Sequence, residues 1–106
     1  MREVTQESFA AAQGGSAVVV DVREPVEYVA GHVPGAVLIP MGQLPTRLSE
    51  IPKGYPVHVI CASGNRSAAM TRFLVRAGFD AYSVAGGTSA WSRAGRPLVT
   101  GPAPTS

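Results

Sequence analysis

The sequence predicts a small α/β domain in which helices cover both faces of a parallel sheet, and three observations lead there. Short apolar, β-branched runs at 17–22, 36–39, 57–60 and 80–85 alternate with helical patterns along the whole chain. Val18-Val19-Val20 is apolar on both sides of the strand, as befits a strand in the middle of a parallel sheet. Met70, Phe73, Leu74 and Ala77 recur at i, i+3, i+4 and i+7, a helix stripe that faces a core. A chain of 106 residues supports one such core and not two.

Taken in order, Glu3-Val4 is a very short strand and Thr5 an N-cap. A helix over 6–13 follows, closed by Gly14-Gly15. The run 17–22 places Asp21-Val22-Arg23-Glu24 at the carboxyl edge of its strand. Pro25 suits the first position of a short helix through Ala30. Gly31-His32-Val33-Pro34-Gly35 has turn chemistry, and Pro40 closes the strand at 36–39. A helix is expected over 43–51, with Leu44, Leu48 and Ile51 on one face and Pro45 tolerated in its first turn. The run 57–60 delivers Cys61, and a helix from Ser67 to Ala77 ends at Gly78. After a last strand and the Gly86-Gly87 turn, Thr88 is expected to cap a helix through Ala94. The Pro/Gly/Thr-rich segment from Pro97 onward reads as a peripheral tail. His32, His58, Tyr82 and Trp91 read as structural, with His58 satisfied locally or partly exposed.

Composition excludes several functions. The chain is 45% hydrophobic and 15% charged, which describes a globular protein and not a disordered one. Its net charge is +2 and its basic residues are scattered, so no patch suggests nucleic acid or a membrane surface. A single cysteine and two distant histidines offer no metal-ligand spacing and no intrachain disulfide. Neither a signal-peptide h-region nor a membrane-spanning apolar run is visible. The expectation is a cytoplasmic protein with a reduced thiol and no cofactor.

Chemistry concentrates in Cys61-Ala62-Ser63-Gly64-Asn65-Arg66-Ser67. The cysteine stands where a strand ends and a helix begins, the position at which α/β sheets bind ligands. The small residues after it let backbone N–H groups converge on a central anion. A helix N-terminus favours a thiolate, the nucleophilic form of cysteine. Arg66 opposes the helix dipole there, which suits it to balancing an anion or to pairing with Glu24 or Asp21. An inert, buried cysteine is the bland alternative. The polar, glycine-containing sequence that follows at once argues against it.

These residues carry a family resemblance. The segment Val20-Asp21-Val22-Arg23-Glu24 with Glu27-Tyr28, the turn Gly31-His32-Val33-Pro34-Gly35-Ala36, the Cys61 loop, and Gly86-Gly87 with Trp91 resemble a single-domain rhodanese-like sulfurtransferase. The likeness runs from about Val4 to Leu98. It implies a rhodanese-like domain over 1–100 with a C-terminal tail at 101–106, built on a five-stranded parallel sheet with helices on both faces. It further implies Cys61 as the catalytic sulfur carrier, with Ala62, Ser63, Gly64, Asn65, Arg66 and Ser67 binding the substrate. Asp21, Arg23 and His32 match positions that look architectural. The implied partners are a small anionic sulfur donor (thiosulfate or a persulfide), a thiol or cyanide acceptor, and a sulfur-relay protein. Two-domain thiosulfate sulfurtransferases carry basic residues where this chain has Ala62 and Ser63, which weakens the expectation that thiosulfate is the preferred donor. Two alternatives remain open. One is a non-catalytic interaction or relay module, and the other a Cys-dependent phosphatase or arsenate reductase. Loops of the second kind are one residue longer between Cys and Arg than the four-residue spacing here.

Overall fold

Five parallel strands form one sheet in the order β1-β5-β4-β2-β3. They are β1 (Glu3–Val4), β2 (Val18–Asp21), β3 (Val37–Leu38), β4 (Val57–Ile60) and β5 (Ala81–Val84). The helices are α1 (Gln6–Ala12), α2 (Pro25–Ala30), α3 (Asn65–Arg76) and α4 (Gly87–Arg93). This computed structural model describes residues 2–13, 15 and 17–104. Gly14, half of the expected stop after α1, lies outside them.

Strand periodicity divides the core in two. Register pairs Val18 with Val57 and Val20 with Val59, and these side chains share one face of the sheet. On that face they pack with Leu44, Ile51, Leu74 and Phe79, together with the stripe Met70, Phe73 and Ala77 of α3. The alternate residues Val19 and Ile60 pack on the other face with Phe9 of α1, Tyr28 of α2 and Trp91 of α4. Being two residues beyond Val59, Cys61 continues its parity and belongs to the α3 face. Ser83 of β5, paired in register with Val59, points to the same face. Parity of this kind decides which side chains can reach the thiol.

Four expectations need correction. The 43–51 segment is not an α-helix but two short 3-10 turns, Leu44–Thr46 and Leu48–Glu50, interrupted at Arg47. Pro45 removes a donor and Pro52 holds Ile51 extended, so too few residues remain for an α-helix to propagate. The apolar face survives, because Leu44 and Ile51 are still buried and Leu48 packs beside them. Second, α3 begins at Asn65 and not at Ser67, which puts Arg66 inside its first turn. Third, the N-cap of α4 is Gly86, and Thr88 lies within the helix as a buried residue whose Oγ1 has no hydrogen-bond partner among the described residues. Fourth, His58 is buried, and its Nδ1 has no partner either. Burial holds its pKa below the ordinary value, against the pull of Asp80.

The tail lies at the surface, as expected, but is tied to the fold by hydrogen bonds. His32 and Val99 exchange both backbone hydrogen bonds, at 2.9 Å each. Gly101 N–H donates to the Val29 carbonyl at 2.9 Å, and Gly35 N–H donates to that of Pro104 at 3.0 Å. The fully buried His32 ring stacks on Tyr28 at 3.7 Å. Its Nδ1 lies 2.9 Å from the Tyr28 carbonyl and its Nε2 lies 3.0 Å from that of Ala103. Residues 99–104 are thus a strap over the turn that follows α2. No helix among the described residues is long and apolar enough to cross a membrane.

Candidate active site

At the carboxyl end of β4 the chain leaves the sheet and turns around Cys61 before entering α3. Gly64 makes this possible with φ +109°, a conformation that side-chain-bearing residues rarely adopt. The turn brings the Gly64 N–H to 3.0 Å from Cys61 Sγ. Ser67, in the first turn of α3, places its Oγ 3.4 Å from the same sulfur. Behind it, Ser83 Oγ lies 2.8 Å from Ser67 Oγ. When the sulfur is a thiolate, Ser83 can donate to Ser67 while Ser67 donates to sulfur, so two buried hydroxyls act in line.

The electrostatics favour the anion. Burial pushes the thiol pKa up. Hydrogen bonding to the Ser67 hydroxyl and to the amides of Ser67, Gly64 and Ser63 outweighs that, and the net direction is down. Cys61 is 1% exposed, so these donors act with little competition from water.

A second loop holds the first in place. Thr88 N–H donates to the Cys61 carbonyl at 2.8 Å and Ser89 N–H to that of Ala62 at 3.0 Å. The approach is tight enough that a Cβ on Gly87 would stand 2.4 Å from the Cys61 carbonyl oxygen. Only glycine fits there, which explains physically the Gly86-Gly87 pair seen in the sequence.

The structure brings Cys61, Ser63, Gly64 and Ser67 together around the sulfur and separates the remaining three residues of the loop. Ala62 is half-buried and contributes its carbonyl to α4. Asn65 is exposed at the start of α3. Arg66 is half-buried and makes no hydrogen bond to the sulfur, and its partner is neither Glu24 nor Asp21 but Glu27 of α2. The two form a bidentate pair, with Nη1–Oε1 at 2.8 Å and Nη2–Oε2 at 3.0 Å. The Arg66 guanidinium, helped by the Glu24 N–H, holds the Glu27 carboxyl at about 2. Asp21 instead takes Arg23 through its Nε and Nη2, the latter at 2.8 Å, and Arg23 also donates to the Gly31 carbonyl at 2.8 Å. Both are buried, as suits an architectural role.

Sequence reasoning gave Ser83, Glu27 and Thr88 no place at the site. Ser83 had a signal, since it is a small hydroxyl residue in a strand that is otherwise Ala, Tyr and Val, where a buried polar group needs a partner. Beside the loop lies an open groove of about 440 Å³, whose lining includes Glu27, Ala62, Thr88, Ser89, Arg93 and Leu98. No group of metal-ligating side chains is assembled among the described residues.

Comparison with known proteins agrees with this geometry. Residues 5–94 match the family described as the Rhodanese-like domain. A protein of Allochromatium vinosum named sulfurtransferase is 40% identical over 83 residues, covering 77% of this chain and 78% of its own. The crystal structure of a rhodanese-related protein from Thermoplasma volcanium superposes with a TM-score of 0.90 at 32% identity, covering 95% of this chain and 100% of that one. A rhodanese-like domain protein from Staphylococcus aureus gives a TM-score of 0.85 at 34% identity, over 95% of this chain and 99% of that one.

Proposed function

This chain belongs to the rhodanese-like family, and on that premise we propose that it is a sulfurtransferase whose Cys61 carries sulfane sulfur as a persulfide. One observation carries the reading. The only cysteine sits at the centre of a ring of donors, with the Gly64 N–H at 3.0 Å, and its pKa is lowered despite burial.

The reaction has two half-steps. After Cys61 loses its proton to solvent, the thiolate attacks the outer sulfur of thiosulfate. The new S–S bond forms as the old one breaks, and sulfite leaves with the bonding pair. With an organic persulfide the leaving group is a thiolate, which takes up the proton of the attacked sulfur and departs as a thiol. Either way Cys61 holds a persulfide anion, a negative charge that amide donors stabilise as an oxyanion hole does. An acceptor thiol or cyanide then attacks the terminal sulfur and regenerates the Cys61 thiolate. With no second cysteine in the chain, discharge is intermolecular, and the kinetics are ping-pong.

The four-residue spacing from Cys61 to Arg66 supports sulfur over phosphate. So does the Glu27 carboxylate, which holds both terminal nitrogens of Arg66 and keeps them from clamping an oxyanion at the sulfur. Incubation with thiosulfate or glutathione persulfide should add one sulfur to Cys61 by mass. Cyanide should release it as thiocyanate. Cys61→Ser should lower turnover by at least about a thousandfold with the fold intact. Absence of an adduct with every donor, or aryl phosphate turnover that depends on Cys61, would reject the proposal.

A further inference from the structure

The groove beside the Cys61 loop is larger than the chemistry at the sulfur requires. At about 440 Å³ it falls in the range of clefts that bind organic molecules, ~300–1,000 Å³, and a small inorganic anion leaves most of it empty.

Its charges are informative. Arg23 is neutralised by Asp21, and Glu27 by Arg66. Arg93 also lines the groove, and it makes no ion pair among the described residues. The groove therefore carries one uncompensated positive charge.

The hydroxyls are placed to accompany that charge. Ser89, Ser92 and Arg93 stand at i, i+3 and i+4 of α4, so they share one helix face along the groove. Thr88 lines the same wall, 6% exposed, with an Oγ1 that lacks a hydrogen-bond partner. That oxygen is buried, so the exposed Ser89 and Ser92 hydroxyls are the ones a ligand in the groove can reach. Ala30, Gly31 and Leu98 add apolar surface to the same lining.

We infer that this groove is a subsite for the organic part of a carboxylate-bearing persulfide, with the carboxylate on Arg93 and the α4 hydroxyls and the aliphatic portion against Leu98. The inference rests on the sulfurtransferase reading and narrows its donor. Such a donor delivers its outer sulfur to Cys61 by the balanced step given above and leaves as the carboxylate-bearing thiol. Because α4 also donates two backbone hydrogen bonds to the Cys61 loop, the subsite and the thiol are held on one rigid support.

The test compares three sulfur donors: glutathione persulfide, the persulfide of glutathione diethyl ester, and thiosulfate. In the wild type, kcat/KM for the acid should exceed that for the ester about tenfold, the scale of a charge-assisted hydrogen bond. Arg93→Ala should remove that preference, mainly through KM, and lower the ratio of glutathione persulfide to thiosulfate by a similar factor. Arg93→Lys should restore part of it, since the charge returns without the planar fork. An unaltered acid-to-ester ratio in Arg93→Ala overturns the inference, as does a wild type that uses the ester as well as the acid while still forming the Cys61 adduct. Failure to form that adduct with any of the three donors is a different result, which overturns the sulfurtransferase reading and this inference with it.

Discussion

Two turns leave the carboxyl edge of the sheet side by side, one after β2 and one after β4, and they use their polar groups to opposite ends. After β2, Asp21 takes the Arg23 guanidinium, Arg23 also reaches the Gly31 carbonyl, and both side chains are buried. The Arg23 N–H, Nε and Nη2 donors there are matched by acceptors of the protein itself. After β4, the Gly64 N–H and the Ser67 hydroxyl converge on a sulfur atom that supplies one anionic charge and can accept another atom. The first turn is closed and supports the second. Position at the end of a parallel strand does not by itself make a site. What makes one is donors aimed at a group that can change its bonding.

The contrast can be broken from either side. The largest effect belongs to the closed turn. Asp21→Ala leaves Arg23 buried without its counter-charge and should cost about 3–5 kcal/mol of stability by denaturant titration. Sulfur transfer per folded molecule should survive in conditions where the variant remains folded. A variant that is stable but inactive would place Asp21 in the chemistry and erase the distinction.

A smaller and more selective effect belongs to the open turn. Ser67→Ala removes the hydroxyl donor to sulfur, so the thiol should titrate at higher pH than in the wild type, read by ultraviolet thiolate absorbance or alkylation rate. The hydrogen bonds to sulfur should set the wild-type midpoint lower than it would be for the same thiol without them. Reactivity at pH 7 should therefore fall in the variant, while high pH restores it. A midpoint unmoved by this change would mean that the amides alone set the thiolate.

The smallest effect joins the two turns, because Glu27 belongs to α2 and Arg66 to the Cys61 loop. The folded-state pKa of Glu27 is lowered to about 2, against ~4.3 in an unfolded chain. A depressed carboxyl stabilises the fold above the unfolded value and loses that contribution as pH falls toward 2. Glu27→Gln should flatten this part of the acid limb and cost no more than about 1 kcal/mol at pH 7, as the pair is partly exposed. It should also free Arg66 to attract anionic donors, lowering their KM. An unchanged acid limb would mean that the pair adds nothing to stability.

The sequence by itself determined the fold class, the strand that delivers Cys61, and the small-residue loop after it. These are local properties. The unbroken β-branched runs, the i, i+3, i+4, i+7 stripe of α3 and the run of short residues each lie within one stretch of chain. It erred where local signals compete, as over 43–51, where apolar spacing suggested an α-helix and two prolines allowed only 3-10 turns. Tertiary structure alone decided which groups meet across the sheet. Ser83 reaches Ser67 because β5 lies beside β4 in parallel register and with matching parity. Arg66 finds Glu27, and not Asp21 or Glu24, with Asp21 already taken by Arg23. Residues 99–104 strap the His32 turn, and α4 closes over the Cys61 carbonyl with only glycine able to fit between. Such pairings depend on strand order and crossovers, which short-range periodicity does not encode. Composition and spacing placed the nucleophile, while packing supplied its donors and the groove beside it.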